Sequence, residues 1–120
     1  MTDPNTIAQS YLSLWNEEDD TVRRERLARG WSADANYVDP MMAGQSREGI
    51  ARIIEAARAQ FPGHRFTLAG TPDSHGSFVR FSWTLGLPSG APVARGTDVV
   101  RLDGNGQIAE VIGFLDGAAA

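Results

Sequence analysis

The sequence predicts a single α+β domain over residues 1–120, in which a curved antiparallel sheet wraps around one long amphipathic helix. Two observations support this prediction. Up to residue 61, apolar residues recur mainly at the spacing of helices, whereas beyond it they alternate with the period of two that strands require. A chain of 120 residues can also bury one hydrophobic core, and no repeat or linker suggests a second domain.

Three helices are expected, at residues 5–18, 21–29 and 46–61. In the first, Tyr11 and Trp15 lie one turn apart and therefore share a face. Thr21 is the expected N-cap of the second, and Gly30 its C-terminal stop. The third begins at Ser46 and carries a continuous apolar stripe, which is typical of a helix packed against a core.

Five strands are expected, at residues 35–39, 65–69, 77–87, 94–102 and 107–116. The first is short, has Tyr37 and Asp39 on one face, and is ended by Pro40, which cannot donate to a sheet ladder. Residues 41–45 are expected to form a loop, and residues 70–76, which are rich in glycine and proline, a turn.

The composition argues against several classes of function. A net charge of −4 disfavours nucleic acid as a partner, because nucleic-acid binding requires a basic surface. No apolar run approaches the roughly 20 residues of a membrane-spanning helix, and the first residues do not resemble a signal peptide. We therefore expect a cytoplasmic protein without a membrane partner. The chain has no cysteine, and His64 and His75 lack partners at ligand spacing, so no metal site is expected.

The strand at residues 94–102 contains the most informative residue of the chain. Alternation places Asp98 on the same face as Val100 and Leu102, in otherwise apolar surroundings. A carboxylate in such a place is costly unless it is paired, hydrogen-bonded or protonated. Two interpretations are open: a structural pairing with an arginine or a backbone donor, or a role in a cavity.

Two segments carry a resemblance to a known family: Tyr-Val-Asp-Pro at 37–40 and Thr-Asp-Val-Val-Arg-Leu-Asp-Gly-Asn-Gly-Gln-Ile at 97–108. With the order of the elements, they make the chain resemble the nuclear transport factor 2-like superfamily, whose fold is also called cystatin-like. Within it, the chain looks most like the SnoaL-like group, which includes polyketide cyclases. The resemblance implies a cone-shaped α+β barrel, with curved sheet and helices enclosing an apolar cavity.

The chain also resembles ketosteroid isomerase at three positions. Tyr11 precedes Asn16 by five residues, Asp39 precedes a proline at the end of the first strand, and Asp98 lies on the penultimate strand. The resemblance implies that Asp39 is a general base, while Tyr11 and a protonated Asp98 bind the oxyanion of an enolised substrate without a cofactor. Considered alone, Asp39 is equally compatible with capping a turn, and Tyr11 with an ordinary core position.

Apolar and aromatic residues on inward faces are expected to line the substrate pocket. They are Trp15, Tyr37, Ile54, Val79, Phe81, Trp83 and Phe114. Arg95 and Arg101 fall on the strand face opposite Asp98, so the Asp-Arg-Asp arrangement of the epoxide hydrolases of this superfamily is not expected.

Two functions are compatible with these features. The first is a cofactor-free isomerase or cyclase-like lyase that enolises a small apolar carbonyl compound. The second is a non-catalytic domain, in which the same cavity holds a hydrophobic ligand or is merely filled. By analogy with relatives that pair through their sheets, we also expect a homodimer, formed through the polar outer face of the sheet.

Overall fold

The computed structural model of the protein describes residues 3–116. Its helices are α1 (Pro4–Asn16), α2 (Asp20–Gly30) and α3 (Ser46–Gln60), which confirms the three predicted helices. Asp19 caps α2 by accepting hydrogen bonds from the backbone N–H groups of Thr21 and Val22. The prediction of Thr21 as N-cap is therefore wrong, because a carboxylate two residues earlier satisfies these free N–H groups. Within the described range, none of the helices has both the length and the apolar character needed to cross a bilayer.

The strands are β1 (Trp31–Val38), β2 (Ala43–Gln45), β3 (Arg65–His75), β4 (Phe78–Gly86), β5 (Ala94–Leu102) and β6 (Ile108–Leu115). They form one sheet in the order β2-β1-β6-β5-β4-β3. All neighbours are antiparallel except β1 and β6, which run parallel. The α+β class and the curved sheet are thus confirmed, but the sheet is mixed and open rather than purely antiparallel and closed into a barrel.

The strand boundaries differ from the sequence prediction in three places. β1 begins at Trp31, four residues before the predicted start at residue 35. The predicted loop at 41–45 contains β2, which pairs with the end of β1. The predicted turn at 70–76 belongs largely to β3, because the glycine and proline there form a bulge, beyond which pairing with β4 resumes at Asp73.

Helices α1 and α3 cover one face of the sheet, which we call the inner face. α1 packs against β3 and β4, and α3 packs against β1 and β2. On β5, Gly96, Asp98 and Val100 are buried in alternation, and on β4 Val79 and Phe81 are buried in the same way, as the period of two predicts. The core therefore lies between the helices and the inner face, and Asp98 reaches it from the middle of the sheet.

Candidate active site

A cavity of about 120 Å³ lies between the inner face of the sheet and helices α1 and α3. Met41, which is 76% exposed, borders the cavity at its mouth. Asp98, which is only 3% exposed, borders it on the side of the core. Between these two residues the wall is mostly aliphatic and aromatic, so the cavity offers few polar contacts to whatever binds there.

Asp98 receives two hydrogen bonds from side chains. Its Oδ2 accepts from Tyr11 Oη at 2.7 Å, and its Oδ1 accepts from Trp83 Nε1 at 3.1 Å. Burial disfavours the ionised carboxylate and raises the pKa of Asp98 to about 6, although both hydrogen bonds act in the opposite direction. The negative charges of Asp39 and Asp116 add to the effect of burial. Asp98 therefore changes between neutral and charged forms in the slightly acidic range.

Trp83 can reach Asp98 because the facing residue, Gly96, has no side chain. Trp83 on β4 and Gly96 on β5 are direct partners in the sheet. A Cβ atom at position 96 would lie 2.3 Å from Cζ2 of the indole and 2.6 Å from the carbonyl oxygen of Phe114. The indole therefore lies directly over the backbone of β5, and any side chain at this position would displace it.

Asp39 comes directly after β1, where Pro40 prevents further pairing. Its Oδ1 accepts from the backbone N–H groups of Met41 at 2.8 Å and Met42 at 2.9 Å, and its Oδ2 accepts from Tyr37 Oη at 2.6 Å. These three donors occupy much of the acceptor capacity of the carboxyl group. Asp39 thus caps the turn, as one interpretation expects, and at the same time belongs to the cavity wall.

Gly113 brings the two aspartates to one side of the cavity. It pairs with Asp98 across β5 and β6. A Cβ atom at position 113 would lie 3.0 Å from Asp98 Oδ1, 3.1 Å from Asp39 Cβ and 3.6 Å from Tyr37 Oη. The missing side chain therefore leaves both carboxyl groups at the cavity, one on each side of the glycine.

The two tyrosines beside the acids keep their protons. Burial raises the pKa of Tyr11 and of Tyr37 well above its ordinary value, and the charge of Asp98 raises both further. Trp15 packs against both rings, with centroids 6.3 Å from Tyr11 and 5.5 Å from Tyr37. Its Nε1 is buried and has no hydrogen-bond partner within residues 3–116.

The structure brings the three predicted catalytic residues, Tyr11, Asp39 and Asp98, to one cavity. They come from α1, the end of β1 and β5, and are linked by hydrogen bonds only in part, since Tyr11 bonds Asp98 while Asp39 bonds Tyr37. Four of the predicted substrate-binding residues border the same cavity: Trp15, Tyr37, Trp83 and Phe114.

The other three predicted binding residues lie elsewhere. Ile54, Val79 and Phe81 are buried in the core beside the cavity and do not form its wall. Alternation places Val79 and Phe81 on the inner face, but it does not indicate how far along the strand the cavity begins. Phe114 borders the cavity, yet its side chain is 54% exposed, because alternation from the inward Gly113 turns it toward the opposite, outer face.

Several wall residues were not predicted, among them Leu12, Met41, Met42, Phe61, Phe66 and Leu85. Phe66 meets Trp15 and Trp83 edge to face, with centroid distances of 5.6 and 5.2 Å. The alternating pattern of its strand could have identified Phe66. Leu85 could have been identified because it shares a strand face with Trp83. The two methionines lie on an irregular loop, for which the sequence contains no such signal.

Basic side chains stay away from the cavity. None borders it among the described residues. Arg80 pairs with Asp73 and Arg101 pairs with Glu110, both on partly exposed parts of the sheet. Within residues 3–116, no group of three or more histidine, aspartate or glutamate side chains could hold a metal ion.

Comparison with known proteins places this fold in a family. The model of the SnoaL-like domain matches residues 8–111. The chain belongs to the SnoaL-like family. The SnoaL-like assignment and the cystatin-like, nuclear transport factor 2-like fold predicted from the sequence are thereby confirmed. No curated protein matches the chain.

Solved structures of three proteins illustrate the similarity of this SnoaL-like chain to known folds. A candidate isomerase of the SnoaL-like family from Agrobacterium tumefaciens is 57% identical with a TM-score of 0.93, over 98% of this chain and 100% of that one. A candidate polyketide cyclase from Sinorhizobium meliloti is 17% identical with a TM-score of 0.70, over 90% and 93%. A cystatin-like protein of unknown function from Methylobium petroleophilum is 20% identical with a TM-score of 0.74, over 95% and 76%. The last two show the fold alone.

Proposed function

We propose that this SnoaL-like protein is a cofactor-free enzyme that transfers a proton within an apolar carbonyl compound, as an isomerase or a cyclase-like lyase. The observation that carries the proposal is the pair of acids beside Gly113, Asp39 and Asp98, which border one apolar cavity in unlike environments. Abstraction of a proton next to a carbonyl group requires a base and a donor for the developing oxyanion, and two such acids can supply both. The 57% identical candidate isomerase from Agrobacterium tumefaciens supports the same reaction class.

Asp39 is the base in this proposal. Its Oδ2 accepts from Tyr37 and keeps a further lone pair, because a carboxylate offers about four acceptor sites. This oxygen takes the proton from the carbon next to the carbonyl group. The electron pair of the broken C–H bond forms the new C=C bond, and the carbonyl oxygen becomes the oxyanion. Returning the proton from Asp39 to another carbon completes an isomerisation.

Asp98 and Tyr11 stabilise the oxyanion. When Asp98 is protonated, the two residues have two O–H groups but need only one for their mutual hydrogen bond of 2.7 Å, so the other can be donated to the substrate oxygen. A pKa of about 6 keeps the neutral form of Asp98 populated near that pH, and a ligand that excludes water favours the neutral form further. Trp83 holds the second carboxyl oxygen in place.

The proposal is tested with the β,γ-unsaturated isomer of cyclohexenone, which gains ultraviolet absorbance when it becomes conjugated. Asp39→Asn removes the base but keeps the shape of the side chain, so we expect turnover to fall roughly 10²–10⁴-fold. Asp34→Asn is the matched control, since Asp34 lies on β1, close to Asp39 in the chain, and is exposed to solvent. The control variant should keep the parent rate.

Unchanged turnover in Asp39→Asn would show that Asp39 is not the base. The non-catalytic alternative, a domain that only binds a hydrophobic ligand, makes a separate prediction. If the probe binds both the parent protein and Asp39→Asn, but neither converts it nor exchanges its α-hydrogens in deuterium oxide, the chain is a hydrophobic-ligand-binding domain.

We also propose that the protein forms a homodimer through the outer face of the sheet. Ile112 and Phe114 are 38% and 54% exposed there, beside the hydrogen-bonded pair of Ser82 and Thr97. Exposed apolar side chains with a polar rim are typical of interfaces. Sedimentation at working concentration should give the mass of two chains, and a monomer would contradict this proposal.

A further inference from the structure

We infer that the cavity selects neutral carbonyl compounds about the size of a single six-membered ring. This inference rests on the proposed function and specifies its substrate class. It depends on three features of the cavity: its volume, the fixed arrangement of its walls and the charges around it.

The volume sets the upper limit on the substrate. The cavity has about 120 Å³. An apolar cavity of roughly 150 Å³ holds benzene, whereas pockets for drug-sized ligands measure roughly 300–1,000 Å³. The volume of this cavity is close to that of the benzene-binding cavity and well below the range for drug-sized ligands, so the enclosed space matches a single small ring, while two fused rings and a four-ring steroid exceed it.

The aromatic wall cannot move outward easily. Phe66 is held edge to face between Trp15 and Trp83, at 5.6 and 5.2 Å. Trp83 is fixed in turn by its close approach to Gly96 and by its hydrogen bond to Asp98. A larger ligand would have to break this set of contacts, and overpacking of a well-packed site typically costs roughly 1–3 kcal/mol.

The charges around the cavity favour a neutral ligand. An anion would meet two acids and no basic side chain among the described lining residues, so its desolvation would not be compensated. A cation would lose its hydration to a mostly apolar wall, and the carboxyl oxygens, each of which already accepts at least one hydrogen bond, could replace only part of it, since Tyr11 and Trp83 bond the two oxygens of Asp98 and Tyr37 bonds one of Asp39. The remaining Asp39 oxygen is bonded by two backbone N–H groups.

Two ligand series measured by isothermal titration calorimetry test this inference. In the size series, phenol should bind, naphthol should bind at least about 10-fold more weakly, and oestradiol should not bind. In the charge series, cyclohexanone should bind, whereas cyclohexylammonium and cyclohexanecarboxylate, which have the same ring, should not.

Substitutions of residues in the cavity wall should change the size of ligand that binds. Ala57 borders the cavity from α3, so Ala57→Leu should abolish phenol binding, while Ala56→Leu, at an exposed position of the same helix, should leave it unchanged. Phe61→Ala removes a wall residue near the end of α3 and should bring the affinity for naphthol close to that for phenol.

Several results would overturn the inference. These are equal binding of naphthol and phenol by the parent protein, no binding of phenol, or tighter binding of cyclohexylammonium than of cyclohexanone. The inference and the proposed function can fail separately. Naphthol binding together with turnover that depends on Asp39 would overturn only the size limit. Selective phenol binding without turnover of any ketone would support the size limit and contradict the proposed function.

Discussion

Asp39 and Asp98 border the same cavity, but the protein surrounds them differently. Asp39 stands at the end of β1, is partly exposed, and receives two backbone N–H groups and one tyrosine hydroxyl. Asp98 stands in the middle of β5, is 3% exposed, and receives hydrogen bonds from the side chains of Tyr11 and Trp83. The donors of Asp39 are mainly backbone groups of a partly exposed turn, whereas burial raises the pKa of Asp98 to about 6.

The difference follows from the positions of the two acids in the sheet. At a strand end, the backbone N–H groups of the following turn are free to bind a carboxylate. In the middle of a strand, the backbone groups are engaged in the ladder, so a buried acid must be bonded by side chains from neighbouring elements. The side chains that bond Asp98 are Tyr11 from α1 and Trp83 from β4, and Trp83 can take this position only because Gly96 has no side chain. One sheet can thus place one acid among backbone donors at a strand end and another among side-chain donors in its buried middle.

The largest expected effect concerns Asp98→Asn and the pH dependence of stability. The pKa of Asp98 is 3.8 in an ordinary environment and about 6 in the folded protein, so the folded state binds the proton more tightly. The free energy of unfolding should therefore fall as pH rises from about 4 to above 6, by about 3 kcal/mol in total, since one pKa unit is worth about 1.4 kcal/mol. Asparagine mimics the neutral acid, so Asp98→Asn should lack this loss.

Urea unfolding of both proteins at pH 4 and pH 8 measures this effect. Relative to the parent, Asp98→Asn should gain stability at the higher pH, whereas Asp34→Asn, at an exposed position, should behave like the parent at both pH values. An equal difference between parent and Asp98→Asn at the two pH values would mean that Asp98 is not held in its neutral form.

A smaller effect on the free energy of unfolding is expected for Gly96→Ala. This substitution displaces Trp83, which donates a hydrogen bond to Asp98, and leaves both acids unchanged. The new Cβ would lie 2.3 Å from the indole of Trp83, so we expect a loss of about 2 kcal/mol in the free energy of unfolding, typical of overpacking. Gly90→Ala is the matched control, because nothing lies within 4 Å of a Cβ there. Equal stability of the two variants would contradict the proposed role of Gly96.

The smallest effect is expected for Tyr37→Phe, on the side of Asp39. Removing the hydroxyl takes one of three donors from a partly exposed carboxylate, and water can replace it. We therefore expect a loss of about 1 kcal/mol in urea unfolding at pH 7. A loss larger than that of Gly96→Ala would reverse the ranking and show that Asp39 depends on Tyr37 more than Asp98 depends on its support.

The inner member of this pair of acids could be predicted from the sequence because its signal is local. The period of two along β5 places Asp98 on the inner face, and the structure confirms that face. The same parity places Tyr37 and Asp39 together, where they form a hydrogen bond. That Tyr11 meets Asp98 was suggested only by the resemblance to ketosteroid isomerase, because α1 and β5 are far apart in the chain.

Other features lie beyond what local patterns can indicate. The parallel pairing of β1 with β6 joins the first and the last strand in chain order, and no turn between them fixes its register. Alternation assigned Val79 and Phe81 to the pocket because it reports the face of a residue and not its distance from the cavity. The contribution of Met41 and Met42 depends on how the loop after Asp39 is held, which only the three-dimensional contacts reveal.

The contrast between the two acids is tested most directly by a carbon-13 NMR titration of the Asp98 carboxyl group in the parent protein. Its signal is assigned by its disappearance in Asp98→Asn. We predict a midpoint near pH 6, and a further rise when phenol fills the cavity and excludes water. A midpoint at the ordinary value of 3.8 would contradict the account, because it would mean that burial does not raise the pKa of Asp98.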